Sequence, residues 1–411
     1  MTGAKWFPTL LLMTAFQIIS AAQVIITDNG INTNVATIFG IYIAIEWVYT
    51  IASSVIHKKA SPALELIGFF FTGIGLVIVA SVDERYLTKQ FIAVVLGIIC
   101  YIVLLWLISN VDRAMFMRTI MAGAAIVLLI ITLLLASYKN GAYNWIKIGS
   151  FSFQPSELVK IAFIFVGAAA LEKLQSTRSL SKYIVFAVIC IALLFLMRDL
   201  GTALIFFFTF LILAFMRSGD IRTIILVCVA AAMGAGLIVL IKSDYVMQRF
   251  ANYRHIWENM DAGGFQQTRT LIYSVSGGLF GVGIGNGKLK SIFAATEDLV
   301  FGILCEEWGI IMGIIVILCF ALIASHCIRC AGGSHSAFYT ISAVAAGGLL
   351  LFQASLNIFG VTDLLPMTGV TLPFVSRGGT SAISCWALLA FIKAADNRTW
   401  LGSRYQMEVD E

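Results

Sequence analysis

The chain has 411 residues, of which 60% are hydrophobic and 12% charged, with a mean hydropathy of +0.95. A soluble globular domain carries about 25% charged residues. Half that share, spread over long apolar runs, excludes a water-soluble enzyme, a disordered chain and a nucleic-acid binder. The formal charge of +5 then reads as basic cytoplasmic loops, not as a polyanion footprint. The eight cysteines are unclustered, and almost all of them (Cys100, Cys190, Cys228 and Cys385 among them) sit in apolar runs, which argues against a disulfide scaffold. The expected fold class is an all-α polytopic membrane protein.

A helix crosses the hydrocarbon core in about 20 residues, and within lipid it must satisfy its own backbone amides. Apolar runs of that scale lie near 9–26, 35–55, 66–82, 91–109, 119–137, 157–172, 183–197, 200–216, 222–241, 299–325, 336–359 and 380–395. About twelve transmembrane helices are therefore expected. The first run has Lys5 before it and the small residues Ser20, Ala21 and Ala22 late in it, as a signal peptide would. Its apolar stretch exceeds the roughly 7–15 residues of a signal h-region and more spans follow, so a retained helix is expected.

With the N-terminus inside, the short loops on that side hold Lys58, Lys59, Arg113, Arg118, Lys173, Arg178, Lys182, Arg217, Arg222 and Arg329. The C-terminal end adds Lys393, Arg398 and Arg404, whereas the opposite short loops hold Arg85, Lys89, Lys139 and Lys147. This bias predicts that both termini are cytoplasmic. It puts a long polar segment, 242–298, on the outer side with the loops 138–156 and 360–379 and the turn at Arg198–Asp199. The two halves show no inverted repeat by eye, which weakens a secondary-transporter reading.

Most unusual residues converge on that outer face. Pro155-Ser156-Glu157 reads as a helix start, with Pro in the first turn and an acid near the positive end of the dipole. Glu157 and Lys160 share a helix face. An ionisable group in the bilayer costs roughly 2.5–3.5 kcal/mol on insertion scales, so the pair is expected to face protein or water. It is either an internal ion pair joining two helices or part of a polar cavity touching a lipid headgroup. Asp199 stands between two apolar runs, as a cap for the following helix or as a substrate contact. The stretch from Ser276 to Lys288 is glycine-rich but fails the P-loop spacing, since Val282 stands where its first glycine belongs and Leu289 replaces the Ser/Thr. It remains either a backbone that approaches a phosphate through its amides, aided by Lys288 or Lys290, or a flexible re-entrant connection.

Asp298 lies on the outer face where the next helix begins, and Glu306 and Glu307 lie inside that apolar helix, so at least one of them must face the bundle. The segment from Leu365 to Thr380 holds Pro366, Pro373, Gly369, Gly378 and Gly379. It is expected to be an ordered non-helical loop, which membrane depth tolerates only beside protein or a wet cavity. Cys327, Cys330, His326 and His335 are zinc-ligand types, but without a second CxxC no metal site is expected. No Ser/His/Asp grouping is evident.

Taken together, these residues resemble the SEDS family (shape, elongation, division and sporulation proteins of the RodA/FtsW type) from about residue 81 to 396. The motifs are Trp145…Gln154-Pro155-Ser156-Glu157…Lys160, Asp199-Leu-Gly-Thr202, Gln248-Arg249, Ser276-Gly-Gly-Leu279, Asp298…Glu306-Glu307, and Leu365-Pro366…Leu372-Pro373-Phe-Val-Ser376-x-Gly378-Gly379. The resemblance implies a ten-helix core over 66–398, including the 242–298 loop, two additional N-terminal helices in 1–65, and a cytoplasmic tail at 399–411. It implies a peptidoglycan glycosyltransferase of a bacterial plasma membrane, acting on lipid II and the nascent glycan chain outside and releasing undecaprenyl diphosphate.

The family's catalytic aspartate maps onto Asp298 and its glutamate–lysine pair onto Glu157 and Lys160. Phe293-Ala-Ala-Thr-Glu297-Asp298 departs from the usual Pro-Glu-x-His-Thr-Asp, Arg377 replaces the tyrosine of Ser-Tyr-Gly-Gly, and Met197-Arg198 replaces Gln-Pro. One carboxylate suffices for the chemistry: a sugar hydroxyl needs a base as it attacks, whereas a diphosphate leaves without the second acid that most glycosidases require. The leaving group needs positive charge, for which Lys160, Arg249, Lys288 and Arg377 are the candidates. Ser376 joins them at the expected substrate site, while Gln154, Asp199, Glu306 and Glu307 are expected to shape it. The implied partners are a class B penicillin-binding transpeptidase and membrane lipid, with no nucleic acid. No cofactor is indicated, and with no DxD-type cluster a divalent-ion requirement stays open. A lipid II flippase, which would not need Asp298 as a base, and a scaffold for the transpeptidase are the alternatives.

Overall fold

The computed structural model describes residues 6–27, 30–57, 60–139, 142–149, 151–172, 177–222, 225, 228–229, 253–261, 263–334 and 336–400. Its helices are α1 (Trp6–Ile25), α2 (Thr33–Ile56), α3 (Ala63–Val82), α4 (Leu87–Ile108), α5 (Val111–Leu135), α6 (Pro155–Leu171), α7 (Thr177–Leu196), α8 (Leu200–Ser218), α9 (Phe265–Ser276), α10 (Val300–Trp308), α11 (Ile310–Gly332), α12 (Ala337–Val361) and α13 (Gly379–Ala394). Among the described residues, eight helices are long and apolar enough to cross a membrane, and two shorter apolar helices, Ser181–Leu196 and Gly379–Ala394, accompany them. This is a multi-pass membrane protein. The run expected at 222–241 lies almost wholly outside the described residues, as does Arg249.

Caps fix where several helices begin. The side chains of Asn32 and Asn110 accept from the backbone N–H of Val35 and Arg113, at 3.2 and 3.1 Å, which satisfies amides that the first turns of α2 and α5 leave open. Helices α3, α6 and α13 are buried along most of their length, and α13 packs most extensively on α4. The Trp386 ring of α13 meets Phe69 edge-on at 4.8 Å. Helices α1 and α2 form a peripheral hairpin, tied by Gln17 Nε2 donating to Glu46 Oε2 at 2.8 Å and Trp47 Nε1 donating to Thr14 Oγ1 at 3.0 Å.

A buried ion pair joins α3 to α13: Lys393 Nζ stands 2.7 Å from Glu65 Oε1, which also accepts from the Tyr49 and Tyr101 hydroxyls. Neither Glu46 nor Glu65 was singled out from the sequence. Acids inside apolar spans are costly unless partnered, and both have such partners.

Three features correct or extend the expected architecture. The loop expected at 138–156 is a small antiparallel sheet of Ser137–Lys139, Ala142–Ile148 and Phe151–Phe153, with Ser137 opposite Trp145 and Ile146 opposite Phe153. The segment 242–298, where the sequence predicts a loop, contains α9. The single span expected at 299–325 is two helices, α10 and α11, broken at Gly309.

That break has a steric cause. Gly309 has φ +86°, and a Cβ there would sit 2.2 Å from the Leu279 carbonyl oxygen. Gly281 is in the same position, with φ +83° and an added Cβ 2.1 Å from the Glu307 carbonyl oxygen. The glycine-rich stretch thus packs backbone against backbone on the end of α10. Val282 and Gly283 donate to the carbonyls of Glu306 and Glu307, at 2.9 and 3.1 Å. Gly281→Ala is expected to destabilise the protein by about 2 kcal/mol or more, because a left-handed backbone alone costs roughly 1–2 kcal/mol at a non-glycine residue and the clash falls on backbone. Thermal unfolding in detergent measures it, and an unchanged midpoint counts against this packing.

Candidate functional site

A polar cavity of about 320 Å³ opens where the loops between helices meet. Its wall includes Gln154 and Glu157 from the start of α6, Arg198 and Asp199 from the α7–α8 turn, Glu297 and Asp298 before α10, and Thr371 and Arg377 from the last loop. Segments far apart in sequence thus converge on one space.

Asp298 lies two residues before α10. Its segment is held on both sides, since its N–H donates to Ala294 O at 2.9 Å and its carbonyl accepts from Asn357 Nδ2 at 2.9 Å. The same Asn357 amide donates to Val370 O at 2.7 Å, so one side chain of α12 fixes both the Asp298 junction and the last loop. The Asp298 carboxylate faces Gly369, where an added Cβ would lie 3.7 Å from Oδ2.

Glu157 and Lys160 form a buried ion pair at 2.7 Å. Lys160 also donates to Gln353 Oε1 at 2.9 Å, and Gln353 Nε2 donates to Thr371 O at 3.0 Å. Thr371 in turn shares a 2.9 Å hydrogen bond with Ser381 at the start of α13. The pair lies within α6, is tied to α12 through Gln353, and its glutamate lines the cavity. Glu157 Oε2 accepts from no donor among the described residues.

Asp199 caps α8 through Oδ1, which accepts from Thr202 N at 3.2 Å. Its Oδ2 accepts from Asn144 and Gln154, each at 2.9 Å, so the carboxylate is engaged from three elements and ties the small sheet to α6 and α8. Arg377 spans the opposite wall. Its Nη2 donates to Glu297 Oε1 at 2.7 Å, its N–H donates to Thr296 O at 2.7 Å, and its guanidinium lies over Tyr86 at 4.2 Å.

Not every residue expected at the site is there. Lys288 is exposed and outside the cavity wall; its backbone N–H donates to Glu306 Oε1 at 2.7 Å. Glu306 also accepts from Leu289 N at 2.9 Å, and buried Glu307 packs under Gly287; both acids brace the glycine-rich stretch away from the cavity. Ser376 is buried and accepts from Leu372 N at 2.9 Å, which shapes the loop that presents Arg377.

Conversely, Arg198, Asn144, Glu297, Gln353, Asn357 and Thr371 belong to the site or its support but were not chosen from the sequence. Arg198 holds φ +60°, a strained backbone of the kind that collects at functional sites. Gln353 and Asn357 carried a usable signal: two amides one turn apart within an apolar span seldom face lipid.

The profile of the FtsW/RodA/SpoVE family, described as "Cell cycle protein", matches residues 63–399. The chain belongs to that family. Among FtsW/RodA/SpoVE relatives, it is 32% identical over 349 residues to stage V sporulation protein E of Bacillus subtilis, covering 79% of this chain and 94% of that protein. It is 25% identical over 413 residues to the peptidoglycan glycosyltransferase RodA of Mycobacterium leprae, covering 93% and 88%. The rod shape determining protein RodA of Thermus thermophilus superposes with a TM-score of 0.61 at 25% identity, over 81% of this chain and 95% of that one. A chain from a peptidoglycan synthase complex that coordinates polymerization and crosslinking shares the fold, with a TM-score of 0.69 at 23% identity over 83% and 98%.

Proposed function

We propose that this chain is a peptidoglycan glycosyltransferase that polymerises lipid II, with Asp298 as general base. The reading rests on one observation: the acid at the loop-to-helix junction lines a polar cavity together with Arg198 and Arg377, in a chain whose relatives include proteins named for that activity. Asp298 takes the proton of the acceptor's GlcNAc 4-hydroxyl as that oxygen bonds to the anomeric carbon of the lipid-linked MurNAc. The bond from that carbon to the diphosphate breaks, its electrons leave with undecaprenyl diphosphate, and the anomeric configuration inverts. Arg198 and Arg377 on the cavity wall supply positive charge for the leaving group, by preorganised electrostatic stabilisation, while Lys160 lies buried behind the wall and holds Glu157. The distribution of Lys and Arg supports an outward-facing cavity with both termini cytoplasmic. The likeness to a chain of a synthase complex supports a class B penicillin-binding transpeptidase as partner.

The test is polymerisation of labelled lipid II by the purified protein in detergent, with and without a candidate transpeptidase. Glycan chains are expected. A flippase or a scaffold makes none under these conditions, because no bilayer is present and the transpeptidase only crosslinks.

Arg377→Leu is expected to raise the lipid II concentration needed for half-maximal rate by about tenfold, or roughly 1.4 kcal/mol. It removes a cavity cation and leaves Glu297 unpaired beside Asp298. Rate against lipid II concentration measures it, with Arg377→Lys expected in between. An unchanged concentration dependence removes Arg377 from the substrate site.

A further inference from the structure

At the end of the bundle remote from the cavity, three side chains of metal-ligand type converge. His326 and Cys330 lie one turn apart on α11 and share a face. Asp396 comes from the turn just past α13. One ligand atom from each lies within 4.8 Å of the other two. All three residues are buried, at 8%, 6% and 4% exposure. His326 Nε2 has no hydrogen-bond partner among the described residues. A buried polar atom left unpaired costs about 1–3 kcal/mol, so a buried imidazole with an unpartnered nitrogen, in a residue clustered with a thiol and a carboxylate, points to a ligand.

We propose that His326, Cys330 and Asp396 bind one Zn²⁺ ion. A donor set of one imidazole nitrogen, one sulfur and one carboxylate oxygen suits zinc better than the oxygen-seeking Mg²⁺ or Ca²⁺. Charge also balances. With Cys330 as thiolate, Asp396 as carboxylate and His326 neutral, the three ligands cancel the charge of the ion, and the guanidinium of Arg398 beside Asp396 keeps its own charge partly in solvent. Binding releases the Cys330 thiol proton to solvent and changes no oxidation state.

The carboxylate is already oriented for this role. Arg398 donates to it from its backbone N–H at 3.0 Å, from Nε at 2.9 Å and from Nη2 at 2.8 Å. Nε is also shared with the second carboxylate oxygen at 3.2 Å, so a metal would take the acceptor position that this longest contact now occupies, and outer partners of this kind usually hold ligating carboxylates. Of the nearby cations, Lys393 is paired with Glu65 and Arg329 Nε donates to the Ser325 carbonyl. Zinc–ligand bonds of about 2.0–2.3 Å put tetrahedral ligands roughly 3.3–3.8 Å apart. Separations of no more than 4.8 Å leave about 1–1.5 Å to close, a distance on the scale of side-chain rotation. Three protein ligands leave a fourth position for water.

The zinc would clasp the end of α11 to the end of α13, the helix whose other end follows Arg377. The sequence offered only His326 and the cysteines, and Cys327 is not part of the cluster, since its thiol donates to Ala343 O at 3.1 Å.

The test uses full-length protein purified in detergent without a polyhistidine tag, stripped with chelator and titrated with Co²⁺ as a spectroscopic probe. One Co²⁺ per chain, a thiolate-to-cobalt charge-transfer band and displacement by equimolar Zn²⁺ are expected. The band is expected to vanish in Cys330→Ser, to weaken in His326→Gln and to persist in Cys327→Ser. Wild-type protein that gives no such band, or a band that survives Cys330→Ser, overturns the proposal. The wild-type measurement decides even if a variant fails to fold.

Discussion

Asp298→Asn is expected to lower lipid II polymerisation by about 10²–10⁴-fold, the range that a positioned general base contributes, while the protein still inserts and purifies as a monodisperse species. The substitution keeps size and shape. It leaves in place the backbone contacts that fix the junction, namely Asp298 N–H to Ala294 O and Asn357 Nδ2 to Asp298 O. What it removes is the capacity to accept a proton at the mouth of the cavity. Gel analysis of glycan chains, paired with size-exclusion chromatography and thermal unfolding, separates chemistry from folding. Full activity in the variant would falsify the assignment of the base. Loss of activity together with loss of folding would move Asp298 to a structural role.

The second large effect falls on stability. Lys160→Met removes the cation from a pair in which Lys160 and Glu157 side chains are only 1% and 6% exposed. The glutamate is left charged and buried, and breaking a buried pair in this way costs about 3–5 kcal/mol. The melting temperature in detergent is expected to fall sharply, or the protein to fail extraction. Glu157→Gln combined with Lys160→Met removes both charges and is expected to restore most of the stability, since residues in one network couple strongly. If the double variant is stable but inactive, the pair also serves the substrate. If the single variant melts like the wild type, the charges are not coupled as the 2.7 Å contact implies.

Much of the spanning architecture could be read along the chain. Where hydrophobic runs are long enough to cross lipid, local composition dictates a helix because no other backbone can satisfy its own amides there. The described helices α1 to α4, α6, α8, α12 and α13 fall on the expected runs within a few residues, whereas α5 and α7 begin six to eight residues earlier than expected. The junction acid, the Glu157–Lys160 spacing and the Asp199 cap position were legible for a similar reason, since each depends on a helix start or on neighbours one turn apart. The break at Gly309 was not legible. It arises from the close approach of Leu279, thirty positions earlier, and hydropathy alone reads straight through it.

Residue type, spacing and solvent preference thus determined the membrane class, most of the helices and the acids worth testing. Assembly decided which of them meet. Arg198 enters the cavity and Lys288 stays out, Gln353 and Asn357 bind the last loop, and Asp396 reaches His326 and Cys330 across two helices. A helix face is fixed within a few residues of chain, whereas these meetings depend on how distant helices dock and where their backbones can approach. That is a property of the packed bundle, and no local stretch of sequence encodes it.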